Sequence, residues 1–249
     1  MLREFKQTFV NFLGKIYLSN FLTKIIINLK LYYLLLPHDV DFFGISKYKN
    51  YISDKDILDI GGHLGLASLS IRYLGFNENF IHIFEPNKMN YKSIKKIQDN
   101  KMKLYKYGLS DKTIKMTNLI IPKKGHIYHT SASTLDINYL NNKKYKLHKQ
   151  KTMLLKFDEL NFKKKIGLIK VDVEGHELKV LIGMYESIIK NLPILIVEFN
   201  NNYLKIFKIF KKKYNIKKYD VNKNKFTNIK STAGLRNYYL IPKKISKII

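Results

Sequence analysis

The chain has 249 residues, with 46 Lys and Arg against 19 Asp and Glu, a formal net charge of +27, and no cysteine. That length suits one main domain with a sizeable core, and the missing cysteines exclude disulfides, thiolate metal sites, iron–sulfur clusters and a sulfur nucleophile. The charge points toward nucleic acid or an anionic membrane, but nearly all of it is lysine, and Lys, Asn and Ile are together the residues of AT-rich codons. A nucleic-acid reader leans on the planar fork of arginine; only Arg3, Arg72 and Arg236 are present, so no nucleic-acid partner is expected.

In chain order, Phe5, Phe9, Phe12 and Ile16 recur at helical spacing with basic and polar residues between them, predicting an amphipathic basic helix. Two readings stay open for it. One is a foot on a membrane surface; the other is packing onto the main domain or onto a second copy of the chain. A further helical segment near Phe21 to Leu36 ends before Pro37 and carries Lys24, Asn28 and Lys30, which leaves no uninterrupted apolar span of the roughly 18–20 residues a bilayer needs. Charges are mixed through the N-terminus, so no secretory signal is legible. The expectation is a cytoplasmic protein, with the inner face of the membrane as the alternative. Residues 1–50 are read as a helical extension and 51–249 as the main domain.

From Asp56 onward short apolar runs alternate with amphipathic helices, the pattern of a mainly parallel sheet with helices on both faces. The expected strands are "ILDI", "FIHIF", "KLYKY", "LLKF", "IGLIKVDV" and "ILIVEF", separated by "LGLASLSIRYL", "NKMNYKSIKKI" and "ELKVLIGMYESII" and followed by "YLKIFKIFKKK" as helices. The runs "IKKYDV" and "NYYLIP" predict an antiparallel hairpin at the C-terminal sheet edge. Between Ile114 and Gln150 the pattern is irregular and includes "KKGHIYHTSASTLD"; a long insertion of that kind reads as a functional loop covering a substrate.

Chemistry concentrates at three strand ends. In "DILDIGGHLGLAS" the glycines Gly61, Gly62 and Gly65 follow the first strand, where a parallel sheet opens its ligand crevice, and glycine lets a ligand approach the main chain. Asp59 precedes the turn as an acceptor for an amine. The spacing is not the GxGxxG of a dinucleotide fingerprint, which disfavours a nicotinamide-dependent oxidoreductase. Glu85, in "HIFEPN", ends the second strand, where an acid can accept from both hydroxyls of a ribose. The third group is Asp172, Glu174, His176 and Glu177 in "IGLIKVDVEGHE". His176 has an ordinary pKa near 6.5 and suits a general base; Lys170 shares a strand face with Asp172 and would keep it ionised; Glu177 suits the start of a helix. Glu198 opens toward the same crevice. Asp172, Glu174 and Glu198 offer oxygens of the kind magnesium takes, but nothing in their spacing requires a metal, and none is assigned.

The motifs "ILDIGGHLGLASL", "HIFEPN", "YGLSD", "IGLIKVDVEGHELKVLIGM" and "ILIVEFN", in that order from Ile57 to Asn200, resemble the FkbM-type S-adenosylmethionine-dependent methyltransferases. The resemblance implies a Rossmann-like class I methyltransferase fold over residues 51–249, with S-adenosylmethionine as cofactor. It implies that Asp59, Gly61, Gly62, His63 and Gly65 hold the methionine part and Glu85 the ribose, with Gly108, Leu109 and Asp111 beside the adenine. His63 departs from the family pattern, which often has a smaller or amide side chain there. The family typically methylates hydroxyl oxygens, often of sugars or secondary metabolites, so the implied partner is a small-molecule or glycan acceptor. The turn after the third group is Asp-Val-Glu-Gly, unlike the Pro-Pro turn of many amino-group methylases, and pyrimidine-carbon chemistry lacks its cysteine. His176 or Asp172 is then the base and Glu174 orients it. A non-catalytic basic binder of nucleic acid or of an anionic membrane is the alternative from another class.

Overall fold

The computed structural model describes residues 39–136, 140 and 145–246. Both helical segments expected before Pro37 lie outside them. A 3-10 helix (Val40–Tyr48) leads into the one-turn helix α1 (Lys49–Ile52). There follow β1 (Asp56–Ile60), α2 (Leu66–Tyr73), β2 (Ile81–Phe84), α3 (Lys88–Ile94), β3 (Met102–Tyr105), β4 (Gly108–Ser110), β5 (Ile114–Lys124), β6 (Ile127–Tyr128), β7 (Lys146–Lys156) and β8 (Ile166–Val171). The chain continues through α4 (Glu177–Gly183), α5 (Tyr185–Asn191), β9 (Ile194–Glu198), α6 (Tyr203–Phe210), β10 (Tyr214–Asp220), β11 (Lys225–Thr227) and β12 (Asn237–Pro242).

Eight strands form one sheet in the order β11-β10-β12-β9-β8-β1-β2-β3. The pairs β9–β8, β8–β1, β1–β2 and β2–β3 are parallel, while β12 and β10 run antiparallel on the β9 side. Chain order reverses between β1 and β8, and such a switch point in a doubly wound sheet opens a crevice beyond the carboxyl ends of its strands. The fold is therefore Rossmann-like, with the expected antiparallel C-terminal pair.

The period-two alternation of the strands divides the core. On one face Ile57, Ile81 and Ile83 pack with Ile71 of α2, Ile94 of α3 and the segment Phe42–Ile52. On the other, Leu58, Ile60 and Phe84 pack with Val180 and Leu181 of α4, Ile188 of α5 and Phe210 of α6. Each fully buried aliphatic side chain contributes roughly 1.5–3 kcal/mol. Strands covered on both faces explain the nearly unbroken apolar runs. The segment 40–52 straddles the boundary drawn at residue 50, and its Phe42, Ile45, Tyr48 and Ile52 are buried in the first core. The Tyr239 hydroxyl ties it to the C-terminal strand by donating to the Asp41 carbonyl at 2.6 Å.

The structure corrects two expectations. The stretch from Ile114 to Gln150 holds the eleven-residue strand β5 and the first half of β7, paired antiparallel in a second sheet of order β4-β7-β5-β6. "LLKF" ends β7 and belongs to that sheet. The alternation went unread because the inward residues of β7 include Gln150 and Thr152, and a pattern of polar residues on both faces carries no hydrophobic period. The predicted helix "ELKVLIGMYESII" breaks into α4 and α5 at Met184, whose backbone leaves the helical region at φ −125°.

Candidate active site

The turn after β1 is built from its own packing. Gly61 has φ +80°, and a Cβ there would fall inside the Asp172 carbonyl. At Gly62 it would meet Ile83, and at Gly65 the Ile97 side chain at 2.6 Å. The absence of side chains is thus demanded by β8, β2 and the α3 region, a cause the ligand-approach argument did not contain. Gly61 and Gly62 donate to the Phe84 carbonyl, and His63, at φ +49°, aims its amide at Glu85.

Asp59 and Glu85 flank this turn from neighbouring strands, Asp59 lying opposite Ile83. Both are almost fully buried. Asp59 Oδ2 accepts from the Ser68 hydroxyl at 2.6 Å. Asp59 Oδ1 is buried 3.4 Å from Lys170 Nζ, at ion-pair distance but without a hydrogen bond. Glu85 accepts from the His63 amide at 2.6 Å and the Asn87 amide at 2.7 Å. Burial nevertheless pushes its carboxyl up to about 7. An acid near half-protonation with lone pairs left over welcomes further donors.

Lys170 connects this pair to the third group. Its ammonium donates to the Gly61 carbonyl at 2.9 Å and stands 3.4 Å from both Asp59 and Asp172. Burial alone would lower its pKa; Asp172 and then Asp59 outweigh that and hold it above its ordinary value. Asp172, Glu174 and Glu198 each bring a carboxylate oxygen within 4.8 Å of the others. Burial first, then the charges of Asp172 and Glu174, push Glu198 up to about 10, so it carries a proton at neutral pH. Such a trio either shares a proton or holds a hard divalent cation.

The turn bearing Glu174 is held from two sides. Glu177, fully buried, accepts from the Val173 and Gly175 amides and from the Asn200 side chain. That is a clamp on the turn, beyond the helix-start charge read from sequence. From above, Thr134 donates to the Glu174 carbonyl at 2.8 Å. The same short stretch meets the other two motifs: Thr130 lies 3.4 Å from His63 Nε2, and Ser133 accepts from Asn87 at 3.0 Å. The sequence reads this Ser/Thr-rich stretch only as a cover; Ser68, Thr130, Ser133 and Thr134 carry no spacing signal that names them.

His176 is turned elsewhere. It is 7% exposed, its Nε2 lies 2.9 Å from the Ser110 hydroxyl at the end of β4, and Ser110 also donates to Asp111. Burial, helped by Lys179, lowers its pKa to about 4. The sequence made it a base from an ordinary pKa near 6.5; desolvation removes that basicity, and the carboxylates are the stronger candidates. Gly108 packs against Leu154, and Leu109 is buried in the second core. A Cβ at Gly108 would also come within 3.5 Å of Pro86, so β4, with Asp111 following it, runs beside the carboxyl end of β2 where Glu85 stands.

A family model described as "Methyltransferase FkbM domain" matches residues 59–221. No curated protein matches the chain. Among solved structures, the methyltransferase FkbM from Methylobacillus flagellatus KT is 14% identical with TM-score 0.49, covering 76% of this chain and 44% of that one. The precorrin-6y C5,15-methyltransferase from Geobacter metallireducens GS-15 is 11% identical with TM-score 0.38, covering 80% of this chain and 84% of that one. The chain thus spans under half the length of the first.

Proposed function

The chain belongs to the FkbM methyltransferase family, and on that premise we propose that it is an S-adenosylmethionine-dependent O-methyltransferase acting on a hydroxyl of a sugar, glycan or secondary metabolite. The observation that carries this is the pair of buried acids at the glycine turn, one with an oxygen that accepts no hydrogen bond, linked through Lys170 to a carboxylate group next door. Asp59 Oδ1 suits a cationic amino group and Glu85 a ribose diol, which together fit the two ends of S-adenosylmethionine. When bound, that cofactor supplies an electrophilic methyl group on a sulfonium.

The protein's part is alignment and proton removal. Asp172, 3.4 Å from the Lys170 ammonium, takes the proton of the acceptor hydroxyl. Glu198, holding a proton of its own, donates to the acceptor oxygen or to Asp172 and so orients the pair. Glu174, pinned by Thr134 and the Glu177 clamp, forms the remaining wall. The hydroxyl oxygen would take the methyl group from a bound cofactor, and the hydroxyl proton would end on Asp172.

Calorimetry with S-adenosylhomocysteine and, separately, with NADH tests the reading. Expected is binding of the first alone, weakened at least about tenfold in Asp59→Asn through loss of one charged contact. Binding of NADH without S-adenosylhomocysteine would overturn it.

A further inference from the structure

The second sheet has no role in the chemistry above, and its exposed face is unlike the rest of the molecule. Along β7 the residues Leu147, Lys149, Lys151 and Met153 are all exposed, while the alternating Gln150, Thr152 and Leu154 are buried. Across the ladder, a register shift between Ile114 and Thr117 sets exposed Lys115 and Met116 against Met153. Toward the tip on the same face lie Lys124 and Ile127, also exposed. Met116 is 66% exposed, and Met116, Ile127, Leu147 and Met153 are four of the nine large apolar side chains that the described residues leave exposed. From Ile114 to Lys156 the sequence holds nine lysines and a single acid, Asp136. None of the lysines on this face has an ion-pair partner among the described residues.

We propose that this face of the β5–β7 hairpin docks the protein on an anionic lipid surface, with the lysines against phosphate headgroups and Met116, Leu147 and Met153 below them. Lysines two residues apart on a strand are spaced about 7 Å and lie in one plane, which a field of mobile headgroups can meet without any register. The long lysine stems let the ammonium stay at the headgroups while their neighbours go deeper. Single-stranded nucleic acid fits less well. It binds through stacked aromatics, and the exposed residues of β5 and β7 include no Phe, Tyr or Trp. A polyphosphate chain also gains nothing from methionine and leucine.

The claim is independent of the methyl-transfer reading. Its test is co-sedimentation of the full chain with vesicles of equal parts phosphatidylcholine and phosphatidylglycerol, against pure phosphatidylcholine. Expected is binding to the anionic vesicles only, weakened by salt, and reduced at least about tenfold by K149Q/K151Q, each lysine near the surface being worth about fivefold. Because the chain has no tryptophan, Met116→Trp adds one reporter whose emission should shift to the blue on anionic vesicles. Unchanged affinity for S-adenosylhomocysteine and unchanged melting show that the variants are folded. The proposal is overturned if the wild type ignores anionic vesicles, if K149Q/K151Q binds them equally with no shift at Met116→Trp, or if the hairpin lysines serve only an RNA oligomer.

Discussion

At the carboxyl ends of β1, β8 and β9 the ions are buried or half-buried and face one another: Lys170 sits between Asp59 and Asp172, and Glu198 keeps a proton because of its burial and then the charges of Asp172 and Glu174. On β5 and β7 the lysines point into solvent beside methionine and leucine. The same residue type therefore means two things in one chain. A lysine whose every neighbour is protein holds the geometry of a site, whereas exposed lysines on one strand face are at the disposal of something outside. The +27 charge could not distinguish these uses, because a count has no positions.

Glycine shows the contrast at its sharpest. Gly61 and Gly125 both have positive φ, but a Cβ at Gly61 would enter the Asp172 carbonyl, while at Gly125 it would meet nothing within 4 Å. Gly61→Ala should cost more than about 4 kcal/mol or prevent folding, since neither backbone involved can move without breaking the β1–β8 ladder. Gly125→Ala should cost only about 1–2 kcal/mol, the left-handed backbone alone. Urea denaturation of both variants measures the difference. Equal and small losses would mean the β1 turn is not held by the main sheet.

How much was legible follows the same line. The glycine turn, Glu85, Asp172 and Glu198 were readable because each ends an apolar run, and such a run fixes both a strand and its carboxyl end. The second sheet was not, because Gln150 and Thr152 face inward beside Leu154 and erase the alternation. For His176 the residue type is visible in the sequence, but its burial against Ser110 depends on a contact 66 residues away. The Thr134 contact with Glu174, 40 residues apart, was hidden likewise.

Lysine substitution gives the next largest contrast. Lys170→Met removes the cation between two buried or half-buried carboxylates and should cost about 3–5 kcal/mol in thermal or urea unfolding. Lys151→Gln, on the exposed face, should stay within about 0.5 kcal/mol. Comparable losses at the two positions would erase the distinction between a structural and an available lysine.

Glu198 gives the most selective effect, because it shows as a slope of stability against pH. Its carboxyl is raised to about 10 in the folded chain from an ordinary value near 4.5, so the native state binds a proton that the unfolded chain has released. The sign follows: this contribution to stability is fully present below pH about 4.5, declines as the pH rises, and is gone above about 10. Glu198→Gln keeps the shape and the neutrality and should match the wild type at low pH. It should then lose stability less steeply toward pH 10, as melting across that range would show. On the exposed face, Lys149→Gln has no buried partner to perturb and should leave the slope as it is. If Glu198→Gln leaves the slope unchanged too, the proton is not on Glu198 and the carboxylate group is held together by something other than proton sharing.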